Sequence, residues 1–124
     1  MRSVCVAVPP GSKTTRTLKP EVRRFADAFI AWLRSVGVPV TVTSTFRNLA
    51  TQRALYSNYV AGCSRFPAAA PGKSSHGQGR AFDLFLGVDP KEAPQVYQLA
   101  GQAWEAIGGT WGGRFNDPIH FEIR

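Results

Sequence analysis

The sequence predicts an α+β fold in which about three helices pack on a small, mainly antiparallel sheet. Three observations carry this. Apolar residues recur at helical spacing in three separate stretches, short β-branched or apolar runs lie between and after them, and Gly and Pro mark the junctions without dividing the chain. With 124 residues, 44% of them hydrophobic, one core should suffice, so 1–124 are expected to form one domain with an N-terminal arm over 1–18.

Residues 9–17 read as a polar loop. From Pro20, the residues Val22, Phe25, Ala26, Phe29, Ile30, Leu33 and Val36 fall on one helical stripe, with Pro20 suited to the first turn and Gly37 to the end. Val38 to Thr45 is rich in β-branched residues and alternates, which predicts a strand. Asn48 can cap a second helix carrying Leu55, Tyr56, Tyr59 and Val60, closed by Gly62. Residues 63–79 hold three Gly, two Pro and three Ser and read as an exposed loop. Ala81 to Leu86 is apolar except at Asp83, as in a central strand. Asp89-Pro90, with Glu92 three positions after the cap, should open a third helix with Val96, Leu99, Ala100, Ala103 and Ile107 facing inward and Gly108-Gly109 ending it. Short strands around Thr110–Gly112 and Ile119–Ile123 complete the sheet.

Fifteen Lys and Arg against eight Asp and Glu leave a net charge of +7. Such a balance predicts an anionic partner but says nothing of chemistry. The basic residues are scattered rather than massed, which argues against a nucleic-acid-binding domain. No apolar run approaches membrane-spanning length, and the five-residue run after Ser3 is too short for a secretory signal. The chain is therefore expected to be made in the cytoplasm, without stable membrane insertion, and to act as a monomer. Cys5 and Cys63 form no metal or redox motif and read as two buried thiols; a disulfide between them stays open.

The chemistry concentrates around the only two histidines, His76 and His120. Asp83 sits within the central strand, and a carboxylate buried there needs a partner or a metal. His120 and Glu122 share one face of the last strand while Ile119, Phe121 and Ile123 take the other. If the two strands are neighbours, His76, Asp83 and His120 form a two-histidine, one-carboxylate set that suits catalytic Zn2+ with one position open for water. Asp117 and Glu122 are then the candidates for a general base, with Asp117 at the strand entrance.

Ser74-x-His76-x-x-Gly79-x-Ala81-x-Asp83, with Trp111-Gly112-Gly113 and Asp117-x-x-His120, resembles the zinc peptidases that cut D-amino-acid peptides of the bacterial cell wall. That family includes D-alanyl-D-alanine carboxypeptidases and the L-alanyl-D-glutamate endopeptidases of phage endolysins, and it shares its fold with hedgehog signalling domains. Ser44-Thr45-Phe46-Arg47, followed by Gln52, Leu55 and Tyr56, is similar to the family's strand-turn-helix segment. The resemblance implies zinc ligands at His76, Asp83 and His120, a catalytic acid/base at Asp117, and a guanidinium at Arg47 facing the substrate. Ser74, Gln52 and Trp111 are carried over as substrate-binding candidates, each with packing or loop shaping as the alternative. Asp followed by Pro and His-Phe favours the endopeptidase, acting on peptidoglycan at an anionic cell wall during phage lysis or from a virion. A D-alanyl-D-alanine carboxypeptidase and a non-catalytic zinc-stabilised binding module are the competing readings. The segment from Trp111 to Asp117 is shorter than in many endolysin relatives, which places the difference at the rim that selects the peptide.

Overall fold

A computed structural model of the chain describes residues 5–64 and 67–124. The first four residues of the arm and positions 65 and 66 of the expected loop lie outside the described residues. The elements are α1 (Pro20–Ser35), β1 (Thr41–Ser44), α2 (Leu49–Val60), β2 (Ala81–Phe85), α3 (Pro94–Ala106), β3 (Thr110–Trp111) and β4 (His120–Glu122). The four strands form one antiparallel sheet in the order β1-β2-β4-β3, which confirms the α+β reading.

Strand alternation gives the sheet two unlike faces. One carries Phe82, Leu84 and Phe121 into the core with α1 and α3. Phe29, Phe82, Trp104 and Phe121 interlock there, with ring centroids 5.0 Å apart for Phe29–Trp104 and 5.2 Å for the perpendicular pair Phe82–Trp104. Each such side chain withdrawn from water contributes on the order of 2 kcal/mol. The other face carries Asp83, His120 and Glu122, all buried.

The helices turn out narrower in their buried stripes than expected. In α1, Val22, Ala26, Phe29, Ile30 and Leu33 are buried, whereas Phe25 and Val36 at the stripe's margins stay exposed. In α2, Asn48 does cap the first turn by accepting from Thr51 N at 2.9 Å. The face it buries is Thr51, Gln52 and Ala54, while Tyr56, Tyr59 and Val60 are exposed. The apolar side chains there marked the wrong side: the inner one meets the loop before β2, where Ala69 O accepts from Gln52 Nε2 at 2.7 Å. Asp89-Pro90 opens a separate turn, with Asp89 accepting from the backbone of Lys91, Glu92 and Ala93. The third helix therefore begins later, at Pro94, and buries Tyr97, Ala100, Gly101 and Trp104 in place of Leu99 and Ile107. Aromatic rings fill the space over the sheet, and their polar atoms are satisfied: Tyr97 Oη accepts from Leu86 N and donates to Val88 O, and Trp104 Nε1 donates to Glu122 O at 3.0 Å.

The arm is tied down at several points. It contains a short 3-10 turn at Thr15–Thr17 rather than loop throughout. Ser12 exchanges backbone hydrogen bonds with Thr45 and Phe46, and Val6 exchanges two with the Asn58 side chain. Cys5 and Cys63 are joined in a disulfide at an exposed position, which corrects the expectation of two buried thiols. Among the described residues, no helix is long and apolar enough to cross a membrane.

Candidate metal centre

The centre is built where β2 and β4 pair. Their register sets Asp83 opposite His120, so two adjacent strands deliver a carboxylate and an imidazole to one spot on the polar face. The third group comes from the loop before β2. Gly79 has φ +68, a conformation that favours glycine, and its carbonyl accepts from Lys19 N; the turn it allows folds His76 back over the strand. His76, Asp83 and His120 thus meet with one donor atom each inside a 4.8 Å cluster, all three buried.

The hydrogen bonds around the triad fix which nitrogen faces inward. His76 Nδ1 donates to the Thr45 carbonyl at 2.7 Å, which leaves Nε2 pointing at Asp83 Oδ1, 3.1 Å away. His120 shows the opposite choice: Nε2 lies 3.1 Å from Glu122 Oε1, and Nδ1 lies 3.3 Å from Asp83 Oδ1. A carbonyl behind one imidazole and a carboxylate behind the other is the arrangement that orients histidine ligands and raises their basicity. The donor set fits a tetrahedral divalent ion with an open position.

Charge at the site is strongly coupled. Burial alone would raise the Asp83 carboxyl, but hydrogen bonds from His120 and His76 hold it well below the ordinary carboxylate range. Burial likewise opposes protonation of His120, yet the Asp83 and Glu122 carboxylates carry its pKa up to about 9. A metal ion must therefore displace a proton from His120.

Asp117 stands beside the triad. The turn Gly112–Phe115 closes through Asn116 at φ 64, and Asp117 N donates to Gly112 O at 2.8 Å. Trp111 Nε1 donates to Pro118 O, pinning the same turn. Gly112 packs so closely on Asp117 O and His120 Cβ that a side chain there would displace them. As a result Asp117 Oδ2 lies 3.9 Å from His120 Nδ1, with its side chain 47% exposed. Partial burial, followed by repulsion from Asp83, pushes its carboxyl above the usual value. Arg47 completes the ring: Nη2 bonds Asp83 Oδ2 at 3.2 Å and Nε donates to Ser44 Oγ at 3.2 Å. A β-bulge between Val42 and Ser44 turns β1 here and aims the following residues at the triad.

The structure thus brings together His76, Asp83, His120, Asp117 and Arg47. The three substrate-binding candidates are placed inward instead. Ser74 is buried and accepts from His76 N, so it shapes the loop. Gln52 is 2% exposed and donates to Ala69 O, anchoring that loop from α2. Trp111 is buried against Gly101 and Gly113, apart from its bond to Pro118. Sequence reasoning missed the Thr45 carbonyl, which has no side-chain signature, and weighed Glu122 only as a base rather than as the partner of His120.

A family model for VanY, D-alanyl-D-alanine carboxypeptidase, matches residues 15–110, well over half of the chain. No curated protein sequence matches. Among solved structures, a vancomycin-resistance D,D-pentapeptidase VanY in complex with Zn(II) is similar with a TM-score of 0.67 at 17% identity, covering 86% of this chain and 72% of that one. The LdcB LD-carboxypeptidase is similar with a TM-score of 0.67 at 22% identity, over 92% of this chain and 66% of that one. The L-Ala D-Glu endopeptidase ChiX of Serratia marcescens gives 0.59 at 23% identity, over 89% and 83%. At these identities the likeness is one of fold. The family match itself runs through Arg47, His76 and Asp83; beyond the matched segment, the β2–β4 pairing adds His120 and the turn before β4 adds Asp117. With that segment and that fold in common, the chain belongs to the VanY family of D-alanyl-D-alanine carboxypeptidases.

Proposed function

We propose that the protein is a zinc metallopeptidase that hydrolyses peptidoglycan stem peptides, with the L-alanyl–D-glutamate bond as its target. The observation that carries this reading is the triad with its inward nitrogens fixed and a half-exposed carboxylate at its edge. His76 Nε2, Asp83 Oδ1 and His120 Nδ1 are the atoms that would hold the ion. Zinc bound there supplies Lewis-acid activation of water and of the scissile carbonyl.

The chain's own residues do the rest. Asp117 takes the proton of the attacking water and passes it to the leaving amine; its raised pKa suits both halves of that exchange. Arg47, held by Asp83 and Ser44, presents its remaining donors to negative charge growing on the carbonyl oxygen. Glu122 and the Thr45 carbonyl keep the two imidazoles oriented. A non-catalytic zinc module would have no use for a base beside the ligands, and Asp117 is in place for one.

The choice of bond is supported by the Asp117-Pro118-x-His120-Phe121 pattern and by likeness in fold to an L-Ala D-Glu endopeptidase. The family match favours a second reading, D-alanyl-D-alanine carboxypeptidase. Digestion of purified peptidoglycan with mass spectrometry of the new termini decides between them: new D-glutamate amino termini support the first, and free D-alanine the second. Release of neither by the zinc-loaded protein would sink both. On this reading the protein works as a monomer at an anionic cell wall, reached from the cytoplasm by phage lysis or carried on a virion, and its net charge of +7 supports that attraction.

A further inference from the structure

The basic residues are scattered along the chain, yet the fold gathers three of them. The turn Thr15–Thr17 and the start of α1 enclose a surface cleft of about 330 Å3 lined by Arg16, Arg23, Arg24 and Asp27, with Leu18 and Pro20 as its apolar part. Local structure sets the arginines there. Thr14 caps the turn by accepting from Arg16 N, Thr17 Oγ1 lies 3.0 Å from Thr45 Oγ1, and Leu18 is buried in the core with Val22. These anchors hold the turn against α1, so that Arg16, Arg23 and Arg24 border one hollow. That core lies on the apolar side of the sheet, whereas the triad stands on the polar side, which separates the cleft from the metal centre.

Asp27 is the only carboxylate in the lining. It reaches Arg23 alone, at 3.4 Å, and both side chains are nearly half exposed. Among the described residues, the side chains of Arg16 and Arg24 have no hydrogen-bond or ion-pair partner. A guanidinium matches phosphate oxygens with a planar pair of donors, and several such contacts along one polymer add up where a single exposed ion pair contributes little.

Resting on the peptidase reading above, we propose that this cleft binds the phosphodiester groups of a polyol-phosphate polymer of the cell wall, and so holds the enzyme on its insoluble substrate from a point apart from the metal centre. Three guanidiniums around one hollow offer donors to more oxygens than a carboxylate carries. A cavity of this size has room for a thin flexible chain and not for the face of a nucleic-acid duplex. Its lining includes no aromatic side chain to enter a bilayer.

The test compares the zinc-loaded protein with a variant carrying Arg16→Gln and Arg24→Gln, two exposed positions outside the metal centre. Binding of soluble glycerol-phosphate oligomer is measured by calorimetry at several salt concentrations. The substitutions are expected to weaken it about tenfold at low salt, the scale of two exposed charge contacts, and to make its salt dependence shallower. Circular dichroism and turnover of a soluble stem peptide should stay unchanged. Digestion of intact walls should slow in the variant to the rate that the unmodified enzyme shows on walls stripped of phosphate polymer with hydrofluoric acid. Phosphatidylglycerol vesicles and duplex DNA at equal phosphate serve as competing partners. Oligomer binding that the substitutions leave unchanged, equal turnover of intact walls by both proteins, or tighter binding of vesicles or DNA overturns the proposal. Oligomer binding that the variant loses, with no cleavage of peptide or wall by either protein, refutes the peptidase reading alone. Cleavage without oligomer binding refutes the cleft alone.

Discussion

Zinc affinity should depend on pH because the metal and a proton compete for His120. The two carboxylates around that imidazole lift its pKa from 6.5 to about 9, so at neutral pH it is a cation donating to Asp83 and Glu122. Zinc takes Nδ1 only after that proton leaves. Below the shifted pKa the apparent affinity should therefore fall by about one decade per pH unit, each unit being about 1.4 kcal/mol. Between pH 7 and 8.5 this predicts roughly thirtyfold tighter binding, whereas an unperturbed histidine would give a nearly flat profile over the same range. Competition against a chromophoric chelator at stepped pH measures the slope, and calorimetry in buffers of different ionisation enthalpy counts the proton released. Glu122→Gln removes one of the two carboxylates and should flatten the slope. A flat profile for the unmodified protein, or no proton release at pH 7, would refute the argument.

Other outcomes follow from the same geometry. Asp117→Ala should lower kcat by about a hundredfold to ten-thousandfold while zinc stoichiometry stays unchanged, because its carboxylate lies beside rather than among the ligand atoms; undiminished turnover would transfer the base role to Glu122. Asp83→Asn should lose both metal and activity, as seen by metal analysis after gel filtration, since it leaves two imidazoles without their shared carboxylate. In the metal-free protein the raised His120 pKa contributes stability that is fully present below pH 6.5 and lost as pH rises through about 9; chemical denaturation should show a fall of up to about 3 kcal/mol across that window. Reducing the Cys5–Cys63 disulfide, which spans 58 positions, should lower stability by up to about 4 kcal/mol if loop-closure entropy dominates, measured by denaturant unfolding with and without reductant.

The elements that local pattern determines were legible. Pro20 and Gly37 bracket α1, Asn48 caps α2, and strict alternation in β4 separates Phe121 from His120 and Glu122. These depend on contacts within a few residues, which sequence spacing encodes directly. The inner faces of α2 and α3 were not legible. Which side of a helix is buried depends on what packs against it, and here that is the loop before β2 at Gln52, and aromatic packing over the sheet at Trp104.

The site divides along the same line. By itself the sequence determined the ligand types, the two histidines and the carboxylates Asp83 and Asp117, because so few residues of that chemistry are present in such short motifs. Tertiary structure alone decided that Asp83 faces His120 across two strands and that the Thr45 carbonyl selects the tautomer of His76. It also drew Ser74, Gln52 and Trp111 inward and gathered Lys73, Arg80 and Arg124 from three parts of the chain into one cleft. The physical reason is that strand register and loop closure act between residues 30 to 50 positions apart, where one chain's periodicity carries no information about distance.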